Sequence, residues 1–352
     1  MSSPLEITSE VLRIAFRDPF RIARDVNDAV ATTVLVELRD PESGIVGLGE
    51  GFPDTYYGET PATMAAVFPL LLEAVGRPDW TLHGLAEAGA RMDDALGNHG
   101  AAKCAVDIAL HDLAARRAGL PLYEFLGLPA LIPPTDFSIG IDEPEVVAER
   151  ARRAARFPAL KIKVGGPSDL ANLEAVRGVY GGPIRVDANT AWTLEGALAI
   201  LPELERLGVE LIEQPFPARR YDLLRAFQER SSLPIVADES AVAIADLDAL
   251  VGVTAGVNVK LAKCGGVGPA RRMLRRAREL GFRTFIGCME ETSVGIAASA
   301  AVASLAEWLD LDGCLLLADD PFEGLELDGE CRWRLGPGPG LGVARRAGGT
   351  SR

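Results

Sequence analysis

Two lysines spaced two residues apart, Lys161 and Lys163, close a short apolar run that begins near Phe157. In an extended segment such residues share a face, so both ammonium groups enter one small space. Mutual repulsion and burial each lower a lysine pKa, which moves one of the pair toward the neutral, proton-accepting form near pH 7 and makes it a candidate base. An isolated Lys-x-Lys is more often a solvated strand edge. Four further apolar runs set this one apart, because each also ends in a charge: Asp187, Glu213, Asp238 and Lys260 follow Lys163 at successive spacings of 24, 26, 25 and 22 residues.

A strand, a loop and a covering helix occupy about that length. The period therefore predicts repeated βα units with a charge at the carboxyl end of each strand, where (β/α)₈ barrels keep their catalytic groups. Neighbouring strands lie about 4.8 Å apart, which sets Asp187, Glu213 and Asp238 side by side. Three ionised carboxylates in that space repel unless a divalent cation neutralises them. The three histidines, His83, His99 and His111, stand apart from these acids in the sequence, so an oxygen-ligated ion such as Mg²⁺ suits the site better than zinc. Lys163 and Lys260 flank the trio on opposite sides. Removing a proton α to a carboxylate on one face and returning it on the other inverts a stereocentre, with the metal stabilising the enediolate between the two steps. Lys263 competes with Lys260, but its place past the strand end, before Gly265-Gly266, predicts a side chain facing solvent or the next loop. Asn189 and Gln214 are candidates for supporting or substrate contacts.

The elements that must hold these groups follow from the rest of the pattern. Residues 5 to 52 alternate and turn like an antiparallel sheet, with strands over Glu6–Phe16, Thr32–Leu38 and Ile45–Glu50. The loop from Arg17 to Asn27 carries Arg17, Arg21 and Arg24, a group able to hold a substrate carboxylate, and Gly51 to Thr60 forms a second loop. Alanine and leucine at helical spacing dominate residues 61 to 127; Asp107 and His111 there read as a structural i, i+4 pair. Barrel strand one is expected over Thr135–Gly140, strand seven over Gly281–Gly287 and strand eight over Trp308–Leu311. The expected fold is an α/β protein: a (β/α)₈ barrel (128–320) with an N-terminal α+β capping domain (1–127), completed by a glycine- and proline-rich tail (321–352) that packs back on the cap through a hairpin at Asp328-Gly329.

Composition excludes other classes. A net charge of −14 opposes a nucleic-acid surface, and no apolar run of 18 residues suggests a membrane span. Five cysteines with no CxxC spacing read as reduced thiols, and the N-terminus lacks the features of a signal peptide, so a cytoplasmic location is expected.

Taken in order, Lys161-x-Lys163, Asp187-x-Asn189, Glu213-Gln214-Pro215, Asp238-Glu239-Ser240 and Asn258-x-Lys260 followed by Gly265-Gly266 resemble the motifs of the enolase superfamily, muconate-lactonizing subgroup. The resemblance spans the chain. It implies Mg²⁺ on Asp187, Glu213 and Asp238, an acid/base pair of Lys163 and Lys260 beside Lys161, and two cap loops, around Arg17–Asn27 and Phe52–Thr60, that close over a small substrate. It also implies membership of a family that often forms symmetric homo-oligomers. Asp310-Leu-Asp312 resembles the motif by which dipeptide epimerases of the subgroup hold an α-ammonium group, and Arg24 lies where the alanyl-glutamate enzymes bind the glutamate side chain. Thr135, Asn189, Met289 and Glu290 are the further expected substrate contacts. The expected activity is epimerisation of an L-Ala-D/L-Glu-type dipeptide. The alternatives are N-acylamino-acid racemisation, o-succinylbenzoate synthesis, cycloisomerisation, or a noncatalytic barrel that binds a small carboxylate.

Overall fold

The computed structural model describes residues 3–24 and 29–347. Three antiparallel strands, β1 (Glu6–Ala15), β2 (Val30–Arg39) and β3 (Val46–Gly51), open the chain. Helices α1 (Pro61–Val75), α2 (Leu82–Ala95) and α3 (Gly100–Ala118) pack beside them. The Thr60 hydroxyl accepts the Thr63 N–H, and the Thr63 side chain returns a bond to the Thr60 backbone, so α1 starts on a closed capping box with Pro61 in its first turn. Sheet and helix meet along glycine and alanine. A Cβ on Gly47, Gly49 or Gly51 would stand 2.2, 1.9 or 2.1 Å from the carbonyl oxygen of Ala109, Ala105 or Ala101. Two residues of strand and four of helix both advance about 6 to 7 Å, so the two rows match in step and the backbones touch directly.

After α4 (Leu122–Phe125) the barrel begins. Its strands are β4 (Phe137–Ile139), β5 (Leu160–Lys163), β6 (Ile184–Asp187), β7 (Val209–Glu213), β8 (Ile235–Ala237), β9 (Gly256–Lys260), β10 (Arg283–Gly287) and β11 (Trp308–Asp310). Between and after them run α5 (Pro144–Arg153), α6 (Asp169–Arg177), α7 (Leu194–Arg206), α8 (Tyr221–Gln228), α9 (Leu247–Leu250), α10 (Leu261–Cys264), α11 (Val267–Glu279), α12 (Ser293–Ala300) and α13 (Gly313–Leu316). The eight strands pair in sequence order, all parallel, and a parallel bridge between Thr135 and Leu309 joins the two ends. Buried aliphatic side chains of these strands and their helices form one continuous core; Leu160, Ile162, Val186, Ile212, Val257 and Ile286 are fully enclosed.

Buried carboxylates hold two helix starts, and the first of them ties cap to barrel. Glu50 accepts the backbone N–H groups of Thr292 and Gly295 and the hydroxyls of Thr292 and Thr33, while Glu59 accepts the N–H groups of Ala101 and Ala102. Each neutralises free donors at a helix N-terminus. The tail contains a hairpin of Glu326–Leu327 with Trp333–Arg334, turned at Asp328, and touches both parts of the molecule. Leu341 N–H donates to Asp112 in α3, Arg345 pairs with Glu10 in β1, and Trp333 Nε1 donates to the Leu311 carbonyl at the barrel. Among the described residues, no helix is long and apolar enough to cross a membrane.

Candidate active site

Parallel pairing carries the charged strand ends to one level. Lys163 is in register with Asp187, Asp187 with Glu213, and Gly287 with both Lys260 and Asp310. Asp238 follows the last residue of β8 directly. The carboxylates of Asp187, Glu213 and Asp238 are buried, with one oxygen of each lying within 4.8 Å of the others. Glu213 Oε1 accepts a 2.7 Å bond from Asn258 Nδ2, whereas Oε2 lies 2.9 Å from Lys161 Nζ without hydrogen-bonding geometry. Three hard oxygen donors in an enclosed space, one of them lacking a hydrogen-bond partner, fit a Mg²⁺-sized cation.

Lysines surround the trio. Lys163 Nζ donates to Asp187 Oδ2 at 2.7 Å, and Lys260 Nζ stands 3.0 Å from Asp238 Oδ2 on the other side. Burial raises the Asp187 carboxyl, but Lys163 and Lys161 outweigh it and bring the group down to about 2. For Asp238 the same contest is won by Lys260 and Lys263, which hold it well below the carboxylate range. Glu213 ends on the other side of the balance: burial, with Asp187 and Asp238 adding to it against Lys161, pushes it up to about 7.

The lysine pattern left open which of Lys161 and Lys163 turns neutral, and its expectation for Lys263 is corrected. Lys161 shares a barrel with Lys163, yet it is not driven toward neutrality. Its Nζ lies 2.7 Å from Asp310, 2.9 Å from Glu213 and 3.3 Å from Asp187. Burial opposes its charge, and these carboxylates overcome burial, so the ammonium is held well above its ordinary pKa. Lys263 faces neither solvent nor loop; it is buried, with Nζ bonded to the Asp238 carboxylate and to the carbonyls of Asp238, Ala241 and Asn258. The short α10 turns the chain back at the end of β9, which folds this side chain under the β8 loop instead of outward.

A cavity of about 320 Å³ lies over this floor, lined by Lys163, Lys260, Asn189, Met289, Glu290, Asp310 and Asp312 from the barrel. The cap contributes Phe20, Ile22, Arg24, Phe52 and Asp54 from its two loops; Asp25, Val26 and Asn27, the end of the first loop, lie outside the described residues. Arg24 pairs with Glu239, stands 3.5 Å from Asp54 and sits over the Tyr56 ring at 4.5 Å. It therefore joins both cap loops to the barrel. Asn189 takes a left-handed backbone at φ +40°, which turns its N–H to Asp187 Oδ1 and its amide toward both Asp187 and Glu239.

Asp310 and Asp312 stand on the β4 side. Ser138 joins them, its hydroxyl donating to Asp310 at 3.0 Å and its backbone N–H to Asp312 at 2.5 Å. Lys161 outweighs burial at Asp310 and lowers that carboxyl, whereas burial and the neighbouring Asp310 push Asp312 up to about 8. Thr135 is corrected as a cavity contact: it is fully buried, and its hydroxyl donates to the Asp136 carbonyl and accepts the Leu311 N–H. That bond seals the junction of the first and last strands and fixes the loop between the two aspartates. Gln214 likewise braces the fold, accepting the N–H groups of Asp238 and Ser240. His111 pairs with Asp107 within α3 at 3.2 Å. Ser138 escaped sequence reasoning because a lone serine in a strand carries no distinguishing pattern; Glu239 and Asn258 were visible only as members of motifs.

A capped, parallel eight-stranded barrel with acids and lysines gathered at its carboxyl end defines a class of metal-assisted proton-transfer folds. Comparison with known proteins narrows it. Residues 6–127 match the model of the mandelate racemase/muconate lactonizing enzyme N-terminal domain, and residues 145–347 match that of the enolase C-terminal domain-like family. The chain belongs to the enolase superfamily. It is 37% identical over 319 residues to an L-Ala-D/L-Glu epimerase of Bacteroides thetaiotaomicron, covering 89% of this chain and 82% of that one. It is 38% identical over 341 residues to an L-Lys-D/L-Arg epimerase of Methylococcus capsulatus, with 92% and 94% covered. A crystal structure of dipeptide epimerase from Enterococcus faecalis, complexed with Mg and L-Leu-L-Tyr, superposes with a TM-score of 0.89 at 33% identity, covering 97% of this chain and all of that one.

Proposed function

We propose that this protein is a Mg²⁺-dependent dipeptide epimerase that inverts the α-carbon of the carboxy-terminal residue of an L-Ala-D/L-Glu-type dipeptide. The observation that carries the reading is the placement of two amines, Lys163 and Lys260, in one cavity on opposite sides of a buried acidic trio. A binding protein has no use for two opposed proton carriers.

In this reading Asp187, Glu213 and Asp238 hold the ion, which supplies positive charge to the substrate carboxylate as negative charge develops there. Lys163 and Lys260 carry the α-proton, one removing it from its face and the other delivering one to the opposite face. Lys161 stays charged and offsets the surrounding carboxylates. Asp310 and Asp312, positioned by Ser138, take the substrate's ammonium group. Arg24, Asn189, Met289 and Glu290 line the space left for the second residue, and the cap loops exclude water. The relatives' epimerase names support the reaction class, and they also span more than one side-chain preference. All five cysteines are free, which favours a reducing, cytoplasmic setting.

The test is incubation of the purified protein with L-Ala-L-Glu and Mg²⁺ in D₂O. Deuterium is expected at the α-carbon of the second residue, with the diastereomer appearing alongside. No incorporation from this substrate or from a panel of other dipeptides would remove the assignment.

A further inference from the structure

Asp136 stands directly before β4, and its backbone N–H donates to the Leu309 carbonyl at 3.1 Å. Residues two apart in an extended segment share a face, so Asp136 and Ser138 both address Asp310 on the eighth strand. Ser138 does so through its hydroxyl, at 3.0 Å from Asp310 Oδ1. Asp136 does so through its carboxyl, which is hydrogen-bonded to that of Asp310. It is 1% exposed and lies outside the lining of the substrate cavity.

Two ionised carboxylates offer only acceptors. A hydrogen bond between them therefore needs a proton on one of the pair, and the surroundings decide which. Asp310 Oδ2 has Lys161 Nζ at 2.7 Å, and Lys161 outweighs burial there and keeps the group ionised. Asp136 Oδ2 accepts from Arg185 Nη1 at 2.8 Å, but the same guanidinium is shared with Glu210 at 2.7 Å and with the Leu309 carbonyl at 3.2 Å. Asp136 Oδ1 finds no donor among the described residues. Burial, with Asp310 and Asp312 adding to it against Arg185, holds the Asp136 carboxyl well above the carboxylate range; Lys161 and Tyr180 are the other titratable groups that feel its charge. Left ionised, Asp136 would keep a buried oxygen without a donor and repel Asp310.

We propose that Asp136 is a positioning residue for the ammonium site: it retains its proton, donates it in a hydrogen bond to Asp310 and, with Lys161 and Ser138, fixes the carboxylate that meets the substrate's α-ammonium group. The ligand served rests on the dipeptide reading above, whereas the bond between the two carboxyls does not. Asp136 reaches the substrate only through Asp310.

The full chain in Mg²⁺ buffer is compared with Asp136→Asn, whose amide can accept from Arg185 and donate to Asp310, and with Asp136→Leu, which can do neither. At neutral pH the infrared difference between wild type and Asp136→Asn should show the carbonyl stretch of a protonated carboxyl in the wild type. With L-Ala-L-Glu, Asp136→Asn should keep KM within about threefold, and Asp136→Leu should raise it by about tenfold or more with little change in kcat, the usual worth of a hydrogen bond to a charged group. Inhibition by propionyl-L-Glu, which lacks the ammonium group, should be equal in all three. The infrared measurement needs no turnover, so it separates failure of this proposal from failure of the epimerase reading, and it remains decisive if Asp136→Leu misfolds. Absence of the protonated-carboxyl band, a KM in Asp136→Asn as high as in a folded Asp136→Leu, an unaltered KM in the latter, or an equal loss of propionyl-L-Glu binding would each overturn the proposal.

Discussion

Lys161 Nζ reaches past β4 to meet Asp310 Oδ2 at 2.7 Å, joining the second barrel strand to the eighth. The same nitrogen stands 2.9 Å from Glu213 and 3.3 Å from Asp187. One buried cation thus balances the metal-type acids on one side and the paired aspartates on the other, and it gives the barrel mouth a fixed centre of charge.

Removing that centre should be costly. Lys161→Met leaves several buried carboxylates short of a counter-charge, and breaking such a cluster typically costs about 3–5 kcal/mol. Urea unfolding in the presence of a chelator should show a loss of that order, and an unchanged midpoint would mean that Lys161 is not the balancing charge.

Lys163 and Lys260 have a different expected signature. Lys163→Ala and Lys260→Ala should each lower turnover by roughly 10²- to 10⁴-fold, the usual worth of a positioned acid or base, while Mg²⁺ affinity is largely retained. Parallel measurement of deuterium exchange and of metal binding by calorimetry separates this from a structural role; undiminished exchange would exclude the altered lysine as a proton carrier.

Mg²⁺ should stabilise the folded chain by mass action, by about 2.7 kcal/mol at one hundred times its dissociation constant. Asp238→Asn should abolish most of this increment in thermal denaturation. An equal shift in the variant would place the ion elsewhere.

Asp312 predicts a pH dependence. Its carboxyl is pushed from 3.8 up to about 8 by burial and by Asp310, so between those values the folded chain keeps a proton that the unfolded chain releases. The associated stability is full below about pH 4 and is lost as pH rises through about 8. Asp312→Asn should flatten that slope in denaturant titrations across pH 4–8. In the wild type, binding of an ammonium-bearing dipeptide at pH 7 should release a proton, read as buffer-dependent heat in calorimetry.

Gly287 occupies the level of Lys260 and Asp310, and a Cβ there would stand 2.8 Å from both atoms of the Asn258 amide head. Gly287→Ala should displace the amide that holds Glu213. Loss of such a supporting bond typically weakens metal binding by about 10- to 100-fold, with the fold retained by circular dichroism. Unchanged Mg²⁺ affinity would show that Asn258 has no part in setting the acid.

What could be read before folding was whatever depends on spacing along one chain. A charge closing each apolar run every two dozen residues requires repeated βα units, because the length of a parallel crossover is set by covalent geometry; the barrel, its order and the level of Lys163, Asp187, Glu213 and Lys260 follow from that period. Spacing says nothing about which neighbour a side chain meets after closure. Lys161 was open to being a neutral base until four strands brought Asp187, Glu213 and Asp310 around it and the summed attraction exceeded the cost of burial. Lys263 and Thr135 were misplaced for the same reason: contacts such as Lys263 to Asp238 and Thr135 to Leu311 join residues 25 and 176 positions apart. The sequence by itself determined the ring of charges; only the tertiary structure decided which charges neutralise one another and which face the cavity, because electrostatic energy depends on distance through space and on exclusion of water, neither of which is written in residue order.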